Sequence, residues 1–208
     1  MGALCPARVR CATLFFDERD GISVQATWQT ERLELRLLGP EAAAAVREYG
    51  LRSIAYHTPF DPIRPADYWE LPVVADRLVS QQWEAGKGSS LCLFIVRRDD
   101  PARVLGAINL RNILRGAFMG GTLGYGLAPD AIGHGYMTES VNGIVRIAFS
   151  ELGLHRVELN IMPRNAPSLA VAERCGFTRE GLSPHFLKIA GRWEDHVRFA
   201  RTASEDRR

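Results

Sequence analysis

The 208-residue sequence predicts a mixed α/β (α+β) fold, with one sheet of six or seven strands flanked by about four helices. Two kinds of pattern lead to this prediction. Some short segments alternate apolar and polar residues, as half-buried strands do, and others repeat apolar residues at three- and four-residue steps, as helices do. Along the chain the order is strand, two helices, three strands, helix, strand, helix and two strands, without an internal repeat.

The N-terminal half supplies the first strand and two helices. Residues 31–38 alternate leucine with polar residues and are predicted to be a half-buried strand. Pro40 then begins an alanine-rich helix that reaches about Tyr49, and the proline-broken segment 57–65 separates it from a second helix at 66–85. Three strands bounded by turn residues follow, at residues 90–97, 104–113 and 118–127.

The C-terminal half begins with a helix whose apolar residues lie on one face. They are Met137, Val141, Ile144, Val145, Ala148 and Leu152. Residues 156–162 alternate as a strand that Pro163 ends, and a short helix at 167–175 ends at Gly176. Two final strands, 177–189 and 192–200, are predicted to form a hairpin around Ala190-Gly191.

The most informative stretch is the turn Gly133-His134-Gly135, between a strand pattern and a helix. Glycine permits positive φ and close approach of a ligand, and the first turn of a helix has N–H groups without intrahelical partners. With the helix dipole, these donors favour an anion, so residues 132–137 are a candidate phosphate site. A plain turn explains the same pattern. The sequence has no P-loop, and this turn lacks the third glycine of a dinucleotide fingerprint.

Composition narrows the possible partners. The chain has 26 Lys and Arg against 24 Asp and Glu, without the basic excess of a nucleic-acid-binding protein. Its four cysteines have no metal-ligand spacing, and Cys92 and Cys175 are predicted to be reduced and buried. No apolar run is long enough for a membrane span or a signal peptide. We expect a cytoplasmic monomer or homodimer that binds no metal, no membrane and no nucleic acid.

Several segments together resemble one enzyme family. They are NLRNILRGAF, LGYGLAPDAIGHGYMTES, ELGLHRVELNIMPRNAPSLAVAERCGFTREG and GRWEDHVRFA. They resemble the GCN5-related N-acetyltransferases (GNAT), in particular the ribosomal-protein-alanine N-acetyltransferases of the Rim type. The resemblance covers about residues 28–202, which we predict to be a single N-acetyltransferase domain. Residues 1–27 are then an N-terminal extension of unknown role, and residues 203–208 a charged tail.

The resemblance implies the GNAT fold, in which two central strands splay apart and acetyl-CoA lies between them like an added strand. In this chain those strands are 118–127 and 156–162. The pyrophosphate would bind the glycine turn, and Leu127 and Ala128 would contact pantetheine through the main chain. The residues that the resemblance implies for acetyl-CoA are Leu127, Ala128, Ile132, Gly133, His134, Gly135, Tyr136, Met137, Asn165 and Ser168.

Three departures from the family pattern concern the phosphate turn. Relatives commonly have Gln or Arg at the position of Asp130, and basic residues at those of Ile132 and His134. The main-chain donors survive all three changes because they need no side chain.

Direct attack of a neutral amine on the thioester needs a way to lose the amine proton and a donor for the leaving thiolate. Many relatives use a tyrosine as the thiolate donor, but this chain has Ala172 at that position. The resemblance therefore implies the remaining hydroxyl, Ser168, as the donor. The alternative is that Ser168 only caps its helix. No proton acceptor is determined by the sequence. The candidates are Glu158, His185 and Asp195.

Acceptor recognition is expected from the two N-terminal helices and their proline-rich connection, which includes Tyr56, His57 and Phe60, and from other polar residues. The predicted acceptor-binding residues are Tyr56, Phe60, Arg111, Arg115 and Asn160. We expect acetyl transfer to the N-terminal α-amine of a protein, such as the alanine of a ribosomal protein. A small amine (polyamine or aminoglycoside) as acceptor, and an acyl-CoA-binding protein without turnover, are the alternatives.

Overall fold

The computed structural model describes residues 26–203, in which eight strands form one sheet and four α-helices flank it. The strands are β1 (Ala26–Gln29), β2 (Leu33–Leu37), β3 (Leu91–Arg97), β4 (Val104–Leu114), β5 (Gly120–Leu127), β6 (Arg156–Ile161), β7 (Thr178–Ile189) and β8 (Arg192–Thr202). The helices are α1 (Ala43–His57), α2 (Leu71–Gly86), α3 (Tyr136–Ser150) and α4 (Ala166–Arg174). Short 3₁₀ turns occur at Pro40–Ala42, Thr58–Phe60 and Pro129–Ala131.

The strand order is β1-β2-β3-β4-β5-β6-β8-β7, and every pair is antiparallel except β5 with β6. Helices α3 and α4 pack on one face of the sheet, where Leu35, Ile95, Ile144 and Leu159 are fully buried. Helices α1 and α2 pack on the other face, over a smaller cluster. Both faces of the sheet are therefore covered, as the succession of strands and helices predicts.

The structure confirms the predicted mixed sheet with four helices, and it has eight strands instead of six or seven. The additional strand is β1, whose four residues are too few to show a period. It begins at Ala26, before the predicted domain start. The predicted extension and tail otherwise fall on residues 1–25 and 204–208, outside the described part of the chain, and the domain boundaries stay a prediction.

Two helix boundaries were predicted wrongly. Helix α2 begins at Leu71 instead of residue 66, because the preceding residues form turns in which Tyr68 N donates to Pro65 O and Glu70 N to Asp67 O. Helix α1 continues past Tyr49 to His57. No helix within residues 26–203 is long and apolar enough to span a membrane. Cys92 and Cys175 are free and buried, as predicted.

The part of α1 beyond Tyr49 begins with a close contact at Gly50, a residue that would ordinarily weaken a helix. A Cβ atom added at Gly50 would lie 2.0 Å from Cζ3 and 2.2 Å from Cη2 of Trp69. The indole ring of the α1–α2 connection thus packs directly on the helix backbone. This contact fixes the path of the connection, which borders the functional site described below.

We therefore expect Gly50→Ala to destabilise the protein by about 1–3 kcal/mol, although alanine favours a helix by about 1 kcal/mol, because the ring has to move. Gly143→Ala in α3 is the matched control. Its Cβ would meet only the side-chain ends of Leu35 and Thr30, at 3.1 Å. Thermal unfolding of both variants measures the difference, and a Gly50→Ala protein as stable as Gly143→Ala would show that the ring contact is dispensable.

Candidate active site

The sheet splits between β5 and β6. The two strands pair only from Gly120 with Arg156 to Leu123 with Leu159. Beyond that point β5 stays paired with β4 as far as Leu127, and β6 stays paired with β8 as far as Ile161. The two strands are each held on their outer side while they separate. Residues 124–127 consequently line one side of a cleft that is about 13 Å long at 3.3 Å per residue.

Main-chain groups face into this cleft. Ala128 N donates to Leu105 O of the β4 side at 2.7 Å. Since orientation alternates along an antiparallel strand, Tyr125 and Leu127 direct their N–H and C=O groups toward the cleft. Such an edge can bind an extended ligand as an additional strand. Ala128 itself has both groups engaged, because its carbonyl accepts from Ala131 N at 2.9 Å, which argues against its predicted contact with pantetheine.

The glycine turn leads from the cleft to the N-terminus of α3. Gly133 and Gly135 have φ of +87° and +77°, and Gly135 is the N-cap. The first helical hydrogen bond joins Glu139 N to Gly135 O at 3.1 Å, so the N–H groups of the preceding turn have no intrahelical acceptor. A Cβ added at Gly133 would meet nothing within 4 Å. The turn is exposed and open, as an anion site requires. Met137 is buried in the core, so only its main chain can reach a ligand.

An arginine that the sequence analysis missed supports the turn. Arg32, which precedes β2, donates through Nη1 to His134 O at 3.0 Å and through Nε to Glu139 Oε2 at 2.8 Å. Glu139 Oε1 also accepts from Thr30 Oγ1 at 2.6 Å. Burial raises the pKa of the Glu139 carboxyl, but these hydrogen bonds more than offset it, so the pKa is lowered. Arg32 and Glu139 are about 107 positions apart, and no local pattern connects them.

The three departures from the family pattern have distinct structural settings. Asp130 forms ion pairs with Arg103 and Arg52, which neutralise its charge beside the turn. Ile132 is exposed, and the His134 ring stacks on Tyr136 with centroids 5.4 Å apart. The Arg32 guanidinium also lies beside this turn, 4.9 Å from the centroid of the Tyr136 ring, and pairs with Glu139.

A pair of hydroxyl groups lies at the cleft on the side of α4. Ser168 Oγ donates to Tyr125 Oη at 3.0 Å, and Tyr125 Oη donates to Ser168 O at 3.2 Å. Burial raises the pKa of Tyr125 to about 12, so it stays protonated at neutral pH. The predicted cap is also present, but it comes from Asn165, whose Oδ1 accepts from Ser168 N at 3.2 Å. The Ser168 hydroxyl is thus not used for capping.

Tyr125 is a second residue that sequence reasoning missed, because it lies within the predicted strand 118–127. Tyr125 is two residues from both Leu123 and Leu127, so the strand pattern indicates that all three side chains lie on the same face of the sheet, the one that carries α4. A hydroxyl among apolar neighbours on that face was the available signal.

Two of the three predicted proton acceptors, Glu158 and Asp195, have carboxylates that accept hydrogen bonds within the protein. Glu158 accepts from Arg156 Nε at 2.8 Å and from Arg198 Nη2 at 3.1 Å, an arrangement that favours a structural role. Asp195 Oδ1 accepts from the main-chain N of His185 at 2.8 Å, within an irregular part of the β7–β8 ladder. His185 is exposed and has a φ of +48°.

Asn160 and Phe60 lie on the face of the sheet that carries α1 and α2. Asn160 follows the last residue of β6 that pairs with β5, and its Oδ1 is buried without a partner among the described residues. The Arg164 guanidinium lies 5.8 Å from the Phe60 ring centroid and contacts Glu194 at 3.1 Å. Ala190 N donates to the carbonyl of the residue after Phe60, at 3.0 Å. The α1–α2 connection therefore reaches the β7–β8 hairpin.

The remaining acceptor candidates divide between the two ends of the sheet. Tyr56 is exposed at the end of α1, where its ring neighbours that of His57. Arg111 is exposed on β4. Arg115 donates to Leu152 O behind the C-terminus of α3, at the opposite end from the cleft. This position argues against the predicted role of Arg115 in acceptor binding.

The described residues fit the cofactor that the sequence analysis expected. An open, glycine-lined helix N-terminus adjoins a strand edge whose main-chain groups pair with no other strand, so one site accepts a pyrophosphate and an extended amide chain. No cluster of three His, Cys, Asp or Glu side chains that could hold a metal occurs in residues 26–203. The fold and the site together define an acyltransferase with an acyl-CoA as donor.

Comparison with known proteins identifies the family. Residues 32–178 match the family model described as acetyltransferase (GNAT) domain, and the chain belongs to this family. The probable N-acetyltransferase YjcK of Bacillus subtilis (strain 168) is 39% identical over 137 residues, which are 66% of this chain and 75% of that protein. The [ribosomal protein uS5]-alanine N-acetyltransferase of Escherichia coli (strain K12) is 29% identical over 176 residues, 85% of this chain and 90% of that protein.

A solved structure gives the same assignment. Mycobacterium smegmatis RimJ in complex with CoA-disulfide aligns with a TM-score of 0.78 and 28% identity, over 85% of this chain and 84% of that one. The chain is an acetyl-CoA-dependent N-acetyltransferase of the Rim-type branch, as the resemblance implied. The roles of individual site residues stay predictions.

The glycine turn offers a direct test of the phosphate site. Gly135→Val would force a β-branched residue into a backbone conformation with positive φ, which costs about 1–2 kcal/mol of conformational energy. The side chain would also obstruct the N–H groups of the turn. We expect acetyl-CoA affinity, measured by calorimetry, to fall at least about tenfold. Gly153→Val is the control matched for strain, because Gly153 has a φ of +63° and an open Cβ position away from the turn. Equal affinities in the two variants would exclude the turn from the cofactor site.

Proposed function

We propose that the protein acetylates the α-amine of a protein N-terminus, with the alanine of a ribosomal protein as the expected acceptor. The relative from Escherichia coli carries that activity in its name and aligns over most of both chains. Such an acceptor would place the reaction in the cytoplasm. The argument from this chain's own residues concerns the charge of the acceptor face.

The observation that carries the proposal is a group of arginines on the side of α1 and α2. Arg77 stacks over Tyr68 at 4.0 Å, and Arg64 stacks over the same ring at 4.4 Å. Burial lowers the pKa of the Arg77 guanidinium, and the positive charges of Arg64 and Arg111 lower it further. Arg77 and Arg111 repel a polyamine or an aminoglycoside, which carries several positive charges, whereas the charge of Arg64 is compensated by Asp61. A peptide N-terminus carries one charge, and acidic residues behind it would be attracted.

The acidic residues of this face do not offset that repulsion. Asp61 pairs with Arg64 at 2.6 Å, Glu194 pairs with Arg164, and Glu158 pairs with two arginines. Each carboxylate is thus compensated within the protein. A multiply charged amine would find no excess of negative charge among them, and this favours the peptide over the small amine.

Two sets of residues would act on the reacting groups. When bound, acetyl-CoA supplies the acetyl thioester. Asn160 Oδ1 can accept a hydrogen bond from the attacking amine and orient it, since this buried oxygen has no partner among the described residues. On the other face, the Ser168 hydroxyl would donate its single proton to the leaving thiolate in place of Tyr125 Oη, while Tyr125 Oη, which donates to Ser168 O, keeps the start of α4 in position.

The choice of an α-amine also reduces the chemical demand on the site. An α-amine has a pKa of about 8, against about 10.4 for the lysine side chain. The free energy of deprotonation is therefore about 3.4 kcal/mol lower for the α-amine. The enzyme then needs a weaker base than a lysine acetyltransferase would.

The acceptor class is tested by release of free thiol from acetyl-CoA. We expect a peptide that begins with alanine to react at least about 100-fold more efficiently than spermidine or kanamycin. The same peptide with a blocked N-terminus and one internal lysine is the matched control, and we expect it to be inactive. A preference for spermidine or kanamycin would assign the small-amine function instead, and release from none of these amines would favour an acyl-CoA-binding role.

The hydroxyl pair is tested by Ser168→Ala and Tyr125→Phe. We expect Ser168→Ala to lower kcat by about 10²-fold and Tyr125→Phe by about tenfold, because the first removes the donor and the second only its support. Both variants keep the cleft's main-chain groups, so the acetyl-CoA Kd stays within about twofold. If kcat were unchanged in Ser168→Ala while the protein binds acetyl-CoA, Ser168 would have a structural role only.

A further inference from the structure

His57, the last residue of α1, contacts the separated part of β5 directly. Its Nε2 lies 2.8 Å from Leu127 O, the carbonyl that faces the cleft. Its ring covers Gly126, where an added Cβ would lie 2.5 Å from Cε1 and 3.1 Å from Nδ1 of the imidazole. Only a glycine leaves space for the ring at this point of the strand. The imidazole therefore lies against the cleft wall, on the face of the sheet that carries α1 and α2.

The hydrogen bond determines which nitrogen of the neutral ring carries the proton. A carbonyl oxygen can only accept, so Nε2 must be the donor to Leu127 O. In the neutral imidazole Nδ1 then has an unprotonated lone pair. Among the hydrogen bonds of residues 26–203, none engages Nδ1 of His57.

His57 and Asn160 lie on the two sides of the split. Gly126, under the His57 ring, belongs to the part of β5 that has left β6, and Asn160 is the first residue of β6 beyond the paired segment. An amine that approaches the cleft from the side of α1 and α2 would therefore meet the His57 ring on the β5 side and the Asn160 amide oxygen on the β6 side. Glu158 and Asp195 accept hydrogen bonds from other groups, and His185 lies on β7, which does not border the split.

We propose that Nδ1 of His57 is the general base of the acetyl transfer, in a role that rests on the proposed N-acetyltransferase function. As the amine nitrogen bonds to the acetyl carbon, the amine proton moves to Nδ1. The C–S bond breaks with its electron pair on sulfur, and the thiolate, hydrogen-bonded to Ser168, takes a proton from solvent. The imidazolium returns its proton to solvent, and the Leu127 carbonyl holds the ring throughout.

Several charged and titratable groups surround this corner. From α1, Tyr49 Oη donates to Gly126 O at 3.2 Å, and the Tyr56 ring lies 5.6 Å from that of His57. Burial raises the pKa of Tyr49, and the charge of Asp61 raises it further, whereas Arg64 and Arg52 lower it. Tyr49 therefore stays protonated and cannot itself be the base.

The test compares His57→Gln with Tyr49→Phe. Glutamine can keep a donor to Leu127 O but has no basic nitrogen, whereas Tyr49→Phe removes a neighbouring contact with the same strand and leaves the base. With an alanine-starting peptide and saturating acetyl-CoA, we expect kcat to fall about 10²-fold or more in His57→Gln and less than threefold in Tyr49→Phe. The Kd for acetyl-CoA stays unchanged in both.

A second variant, His57→Ala, leaves space for added imidazole, which we expect to restore activity in proportion to its concentration. This variant also serves if His57→Gln does not fold. A kcat within threefold of wild type in His57→Gln, or no gain from imidazole in folded His57→Ala, would overturn the role of His57 and leave the proposed function intact. A wild-type protein that acetylates no amine would overturn both.

Discussion

The structure depends on one constraint, the separation of two parallel strands in the middle of a continuous sheet. A sheet interior ordinarily pairs every main-chain group, and a buried donor or acceptor without a partner costs about 1–3 kcal/mol. Here β5 and β6 lose their mutual ladder after Leu123 and Leu159 but keep their outer ladders with β4 and β8. The unpaired edge is thereby held rigidly while it stays available to an extended ligand, and the helices have to be arranged around it.

This separation also divides the chemistry between two faces of the sheet. The hydroxyl pair of Ser168 and Tyr125 lies on the α4 side, where a leaving thiolate needs a donor. Asn160 and His57 lie on the α1 side, where an attacking amine needs an acceptor. With these groups in their proposed roles, the donor and acceptor substrates would enter from opposite sides and meet inside the cleft. Such an arrangement holds both reactants without requiring a common binding pocket.

Local patterns in the sequence predicted the helices and strands. The site contacts that were not predicted join residues far apart in the sequence. The period of α3 and the alternation of β6 are properties of adjacent residues, and both predictions are confirmed. Tyr125 and Ser168 are 43 positions apart, and His57 and Leu127 are 70 positions apart. A local sequence pattern of about ten to twenty residues therefore cannot show that either pair is in contact. The same holds for Arg32, whose neighbours gave only a strand pattern. Strand β1 escaped detection because four residues cannot show a period.

The Arg32 bridge connects the cofactor turn to the N-terminal hairpin of the sheet. Through His134 O and Glu139, the connection between β1 and β2 is hydrogen-bonded to the turn that is predicted to bind phosphate. Local unfolding of that hairpin would release the turn, and a ligand that orders the turn must therefore oppose local unfolding of the hairpin. Acetyl-CoA bound at this turn would then protect β1 and β2 against hydrogen exchange, although neither strand lines the cleft. The Arg32 bridge would thereby make the edge hairpin and the cofactor one cooperative unit.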